Sequence, residues 1–223
     1  MKTATINIYQ FDELSDSAKE TARGWYRRAS EGDNFYSESV IEDLLQISPL
    51  LGIDIALHSV KLQGGKSRQE PSIWWSGFWS QGDGACFEGT WRANEVQTGK
   101  LKEYAPQDEE LHRIAEIIEK AAKEQPSMSI KITHNYRYYF ATSVDMEPRF
   151  FDNEDNDLSE NESLWAAQDE VFKKAQGALH ALMNWLYRTL EKEYEYHNSD
   201  EQINETICMN EYEFDEGGNR WRY

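Results

Sequence analysis

Ile73-Trp-Trp-Ser-Gly-Phe-Trp-Ser-Gln-Gly-Asp-Gly-Ala-Cys-Phe-Glu-Gly-Thr-Trp91 is the stretch on which the fold assignment turns, and it holds four of the chain's eight tryptophans. Two β-prone aromatic runs flank Gly82, Asp83 and Gly84, and Asp-Gly between such runs is a strong short-range signal for a tight hairpin. With Asp83 and Gly84 as the central turn residues, Ser80 faces Phe87, Phe78 faces Gly89 and Ser76 faces Trp91. Phe78 then covers the bare backbone of Gly89. Trp74, Phe78, Phe87 and Trp91 share one face of that hairpin, and Ile73, Trp75, Trp79 and Cys86 share the other. A slip of one residue would exchange the faces.

Working outward, residues 3–9 alternate with a strand's period of two. Ser15 or Ser17 caps a helix whose inward face is Ala18, Ala22, Trp25, Tyr26 and Ala29. A second helix is expected over Ser37–Ile47, ended by Pro49 and Gly52. Residues 53–62 alternate as a strand, and Gly64–Pro71 reads as a polar, mobile loop. The clearest helix spans Gln107–Lys123, with Leu111, Ile114, Ala115, Ile118 and Ala122 as its apolar stripe. Residues 128–136 and 138–147 form a second hairpin. Asp145–Glu162 is an acidic excursion with eight acids against one Arg. A long helix over Leu164–Glu195 follows, then a short one capped by Ser199 or Asp200, then a terminal hairpin turning at Gly217-Gly218. This order predicts an α+β fold, with a mainly antiparallel sheet built on the central aromatic hairpin (73–92) and covered by amphipathic helices. One domain is expected over 1–223, with an acidic loop at about 145–162 and a helical and hairpin part at 163–223.

Composition narrows the function classes. Of the 223 residues, 13% are aromatic and 29% charged, the mark of an aromatic interior under a polar surface. Two cysteines, Cys86 and Cys208, are too few for a disulfide framework, and no signal-like or membrane-spanning apolar run is present, so a cytoplasmic protein is expected. The net charge is -18, and residues 145–223 carry -13 of it, with 7 Lys and Arg against 20 Asp and Glu. Such a surface repels nucleic acid and anionic membrane and attracts basic partners.

Few residues suggest chemistry. Cys86 follows a glycine-rich turn, and five histidines offer a base, yet their spacing matches no nucleophile signature. Gly82-Asp83-Gly84 is followed by a strand, not by the helix N-terminus that a phosphate loop needs. Asp152, Glu154, Asp155, Asp157, Glu160 and Glu162 suggest a calcium loop, but Asp157 stands where Gly is needed and Ser163 where Glu is needed. No catalytic set, metal or cofactor is expected. The alternative is a small enzyme or ligand-binding domain with a pocket of Trp75, Trp79, Cys86 and Glu88.

Several blocks also carry a family likeness: Phe11-Asp-Glu-Leu-Ser-Asp-Ser-Ala-Lys19, Phe78-Trp-Ser-Gln-Gly-Asp-Gly-Ala-Cys-Phe-Glu-Gly89, and Leu101-Lys-Glu-Tyr-Ala-Pro-Gln-Asp-Glu-Glu-Leu-His-Arg-Ile-Ala-Glu116. To these are added Glu193-Tyr-Glu-Tyr, Ser199-Asp-Glu and Asn210-Glu-Tyr-Glu-Phe214. Together they resemble a family of phage and prophage proteins of uncharacterised function, often labelled "antitoxin of toxin-antitoxin stability system". The resemblance implies a bacterial host cell. Joined to the charge, it leads to an expected acidic interaction protein that binds and inhibits a basic protein partner: a host defence nuclease, a CRISPR-type effector or a toxin. Carboxylates of Asp152, Glu154, Asp155, Asp157, Glu160 and Glu162 would imitate nucleic-acid phosphates. An antitoxin neutralising a cognate toxin is the further alternative that the label implies.

Overall fold

The computed structural model describes residues 7–135, 138–151 and 162–222, and their side chains except those of 162–167. In chain order its elements are β1 (Tyr9–Gln10), α1 (Asp16–Ala29), α2 (Phe35–Leu50), β2 (Ile53–Ile55), β3 (Leu57–Lys61), β4 (Ser67–Pro71), β5 (Ile73–Trp75), β6 (Ala85–Phe87), β7 (Gly89–Arg92), α3 (Leu101–Tyr104), α4 (Glu109–Glu124), β8 (Met128–His134), β9 (Val144–Phe150), α5 (Glu162–His197), α6 (Asp200–Met209) and β10 (Glu213–Phe214). The fold is α+β, and every strand pair is antiparallel. Contacts divide the chain into two compact units, residues 1–38 with 190–223 and residues 39–189, the divisions falling within α2 and α5.

In residues 39–189 a four-stranded sheet runs β2-β7-β8-β9. Its centre is Trp91, with Ile53 opposite on one side and Ile130 on the other. All three are buried, and the indole N–H donates to the Leu51 carbonyl at 3.0 Å, so the one polar atom of the largest core side chain is satisfied.

Three extended segments meet beside this sheet, and each breaks at one residue. Ala56 separates β2 from β3, Ser72 separates β4 from β5, and Glu88 separates β6 from β7. The three breaks bond to one another in a ring. Ala56 N donates to Glu88 O (2.9 Å), Glu88 N to Ser72 O (2.9 Å) and Ser72 N to Ala56 O (2.7 Å). Beyond the ring the partners change: β2 pairs with β7, β3 with β4 and β5 with β6. It is a three-armed β junction.

The junction overturns the expected hairpin register. Ile73 faces Phe87, Trp74 faces Cys86 and Trp75 faces Ala85, with Ser76 N reaching Gly84 O, so the turn is a loop and not a two-residue connection. A strand has two edges, and those of β7 are taken by β2 and β8, leaving none for residues 76–80. Trp74 and Cys86 consequently share one face, and Ile73, Trp75, Ala85 and Phe87 share the other. The glycines serve close approach. A Cβ on Gly84 would lie 2.5 Å from Phe140 Cα, and one on Gly89 would lie 2.2 Å from Asp54 O. The neighbour of Gly89 is therefore backbone, not the ring of Phe78.

Other expectations shift for related reasons. Residues 67–71, read as mobile loop, form β4 and pair along the whole of β3, because backbone groups seek partners even where side chains stay in water. The expected second hairpin forms as β8 against β9, but its second strand is Val144–Phe150 and not 138–147, so residues 145–150 are strand and not the start of an acidic loop; Val144 and Phe150 are buried while Asp145, Glu147 and Arg149 alternate outward. Phe140 and Thr142 lie in the connection before β9. Pro49 sits within α2 and does not end it. Near the C-terminus, Phe214 makes a single bridge to Arg220, while β10 pairs with β1. Of the first expected strand, residues 3–6 lie outside the described residues, as does Tyr223 of the expected terminal hairpin.

The helices keep close to their expected spans. Asp108 caps α4 by accepting from Leu111 N at 2.8 Å. The other Asp108 oxygen accepts from the Trp185 indole of α5 at 2.8 Å. Arg188 pairs with Glu110 near one end of α4 and Lys174 with Glu124 at the other, so α4 and α5 lie antiparallel. In the unit of residues 1–38 and 190–223, Phe11, Leu14, Ala18 and Ala22 pack with Ile203, Ile207 and Phe214, and Trp25 closes edge-on against Tyr212 and Phe214. Asp200, in the first turn of α6, pairs with Arg23 and Arg27 of α1. Ser199 caps α6.

Gly89→Ala is expected to destabilise residues 39–189 by more than about 2 kcal/mol, because the added methyl meets backbone that cannot rotate away. Gly99→Ala, where nothing lies within 4 Å, is the control, with a change within about 0.5 kcal/mol. Urea unfolding of the two variants decides it, and equal midpoints would remove the close-approach role of Gly89.

Candidate functional site

The residues of the alternative pocket stand apart. Cys86 has no exposed surface, Trp79 is 81% exposed, and Trp75 points to the opposite face of the β5-β6 pair from Cys86. Glu88 sits in the junction, its carboxylate accepting from the His134 backbone N–H at 2.9 Å. Burial pushes the Cys86 thiol from 9.0 up to about 12, the Ser143 side chain opposing and the Glu88 charge adding to the shift. A thiol held there is protonated at neutral pH and is no nucleophile. Among the described residues no histidine bonds it. Trp79 stands on a loop that Asp83 organises, its carboxylate accepting from the backbone N–H of Ser80 (2.6 Å) and Trp79 (3.0 Å). The Ser80 bond leads in holding that carboxyl below its usual range.

What the strands do assemble is a ladder of rings: His58 to Trp74 at 5.6 Å, Trp74 to His134 at 5.2 Å, and His134 to Tyr139 at 5.4 Å, with interplanar angles of 25–32°. His134 Nε2 lies 2.6 Å from the Tyr138 carbonyl and therefore carries the proton. Packed rings account for these histidines without a ligand.

Of the acidic residues expected to meet a partner, Asp152, Glu154, Asp155, Asp157 and Glu160 lie outside the described residues. Glu162 begins α5, and its side chain is likewise outside them. The acidity continues through residues 190–223. There Glu195, Glu201, Glu205, Glu211 and Glu216 are exposed and, among the described residues, no ion pair engages them, whereas Asp200 is spent on Arg23 and Arg27.

A cleft of about 880 Å³ opens in the same unit, a volume suited to a ligand of small-molecule or side-chain size. One wall comes from the end of α1 and the turn into α2, with Glu31, Asp33, Phe35 and Tyr36; the other comes from the end of α5 and from α6. Tyr36 and Tyr194 meet edge to face at 5.4 Å, and Phe35 is 72% exposed. Gln202 and Thr206 of α6 and its C-cap Asn210, four residues apart, lie along one face, and Asn198 at the break between α5 and α6 joins them in the wall. Burial raises the Tyr26 hydroxyl above its ordinary value, with Tyr212 and Asp33 adding to the shift and the Thr206 bond opposing it. Sequence reasoning missed this cleft. The four-residue spacing of the amides was its one visible signal.

Among the described residues no group of three or more His, Cys, Asp or Glu is placed to hold a metal ion, and no helix is long and apolar enough to cross a membrane. No curated protein and no solved structure matches the chain. A family model described as "Domain of unknown function (DUF8835)" matches residues 36–200.

The folded state keeps the Cys86 proton that an unfolded chain releases above pH 9, so this thiol's contribution to stability is complete below that pH and is lost as the pH rises toward 12. At pH 8 a disulfide reagent is expected to label the exposed Cys208 in the native protein and to reach Cys86 only after denaturant is added. Two thiols labelled at one rate would contradict a sealed Cys86.

Proposed function

We propose that this chain, which belongs to the DUF8835 family of unknown function, is an acidic interaction protein that binds a basic, nucleic-acid-binding protein and blocks it by presenting carboxylates in place of phosphates. The observation that carries the proposal is the charge of -13 gathered in residues 145–223. Supporting it, exposed glutamates with no ion pair among the described residues stand on the end of α5, on α6 and after it, and α6 is anchored by the buried Ile203 and Ile207. Carboxylates on a fixed frame hold their spacing, and their summed field speeds encounter with a basic groove in a salt-sensitive way. The resemblance to phage and prophage proteins supports a bacterial defence nuclease, a CRISPR-type effector or a toxin as the target.

The test is capture from a bacterial lysate on the immobilised protein at low and at high salt, with a DNA duplex as competitor. A basic protein retained at low salt and released by the duplex is expected. Two variants divide the acidic surface, Glu201→Gln with Glu205→Gln and Glu211→Gln on one, and Asp152→Asn with Glu154→Gln, Asp155→Asn and Asp157→Asn on the other. At least one should weaken capture by about tenfold. Capture that neither variant changes, or that DNA does not compete, would sink the proposal.

A further inference from the structure

Residues 76–84 form a loop that is held on both limbs. Ser76 N donates to Gly84 O at 3.0 Å, and Gly84 N donates in return to the Ser76 hydroxyl oxygen at 3.1 Å. Asp83 N donates to Ser80 O at 3.1 Å, and Gly82 turns the chain at φ +103°, where a side chain would be strained. On the first limb the ring of Phe78 lies 5.5 Å from that of Tyr187, whose hydroxyl donates to Gly77 O at 3.2 Å.

Trp79 stands out from this frame into water. It is more exposed than any other large apolar side chain among the described residues, although its neighbour Phe78 is half-buried. Tyr138 borders the loop, its ring 3.8 Å from where a Gly82 Cβ would stand, and is exposed as well. A single exposed apolar residue is ordinary on a protein surface. What sets Trp79 apart is that the loop holding it out is fixed and that an anion is fixed beside it. The Asp83 carboxylate accepts from the Trp79 backbone N–H at 3.0 Å and from that of Ser80 at 2.6 Å, both on Oδ2. These bonds, Ser80's first, favour the ionised form, so Asp83 folds the loop and presents its charge with the same group. It is the one charged residue of 76–84, and among the described residues no ion pair engages it.

An aromatic plane and an anion thus project from one point of the backbone, which is the composition of a single unstacked nucleotide. Proteins that hold single-stranded nucleic acid combine a basic groove with aromatic side chains, and their stacking tolerates any sequence because every base has a π-face. An indole offers a face of the same kind. Charge selects among the surfaces that could cover Trp79: nucleic acid itself and a second copy of a chain at -18 are repelled, and a basic groove is attracted. We propose that the loop of residues 76–84 stands in for one unstacked nucleotide, Trp79 for the base and Asp83 for its phosphate, and docks in a basic, aromatic-lined groove of the partner. The proposal rests on the partner class proposed above and adds a base to the phosphates that the acidic surface imitates.

The test is calorimetric titration of the whole protein with two end-blocked tripeptides of equal charge, Lys-Trp-Lys as the basic aromatic probe and Lys-Ala-Lys as its control. Lys-Trp-Lys is expected to bind tighter by about fivefold or more, the effect of one stacked ring. Trp79→Ala, at an exposed position, should bring the two peptides level, and Trp79→Phe should restore part of the difference. In protein labelled with fluorotryptophan, the fluorine resonance that Trp79→Phe removes should be the one that Lys-Trp-Lys moves most. Asp83→Asn keeps an oxygen to accept the two N–H bonds and removes the charge, so it should weaken both peptides several-fold and leave their ratio. Equal binding of the two peptides to the unsubstituted protein, a difference that survives Trp79→Ala, or a Trp79 resonance that does not move overturns the proposal. Unchanged affinity in Asp83→Asn overturns its phosphate half. If Lys-Trp-Lys shows no preference while the DNA-competed partner is still captured, the loop is wrong and the acidic surface stands; a preference without any DNA-competed partner separates them the other way.

Discussion

Three backbone hydrogen bonds, joining Ala56, Ser72 and Glu88 head to tail, are the constraint on which residues 39–189 depend. Wherever a strand changes partner it leaves an N–H and a C=O without a ladder neighbour, and a buried pair of this kind is costly. Here three strands change partner at one level, and each break supplies what the next lacks. Ser72 is almost wholly buried, so water is no substitute there. The ring lets β7 leave β6 and become the second strand of a four-stranded sheet, which in turn places Trp91 between Ile53 and Ile130.

Local signals in the chain were legible and partner choice was not. Ser15 and Ser199 cap the helices that follow them, as expected, because capping depends on a few adjacent residues, while Asp108, read as part of the first turn of its helix, proves to be its cap. Gly84 and Gly89 misled, since a glycine that makes room for a passing backbone looks the same in sequence as one that makes a turn. The strand β4, and the end of β9 beyond residue 147, were hidden by polar and charged residues, whose alternation reports a face and not a pairing. The cleft was hidden for a similar reason. Asn198, Gln202, Thr206 and Asn210 show their spacing, but the facing wall of Glu31 and Asp33 comes from the other end of the sequence.

Carboxylates in this chain do two kinds of work. Asp200 and Glu20 neutralise arginines of α1, Asp200 thereby tying α6 to α1, while Asp83 and Asp215 fold loops around themselves by accepting backbone N–H groups. Those acids are committed to structure. The exposed glutamates of residues 190–223 are not, and their mutual repulsion is a standing cost to compaction that the apolar cluster of Phe11, Ile203, Ile207 and Phe214 must exceed. It is a surface charge that folding does not use and must overcome.

One compact unit is built from two stretches of chain with the whole of residues 39–189 between them. On the ribosome, Phe11, Leu14, Ala18 and Ala22 emerge well before Ile203, Ile207 and Phe214, the residues that bury them. At elongation rates of about 5–20 residues per second the wait from Ala22 to Ile203 is about 9–36 s. During it the apolar face of α1 has no native cover, and the intervening residues have time to fold first. The nascent chain is then a client for whatever holds exposed helices in the cell, and α1 is where such a holder would sit.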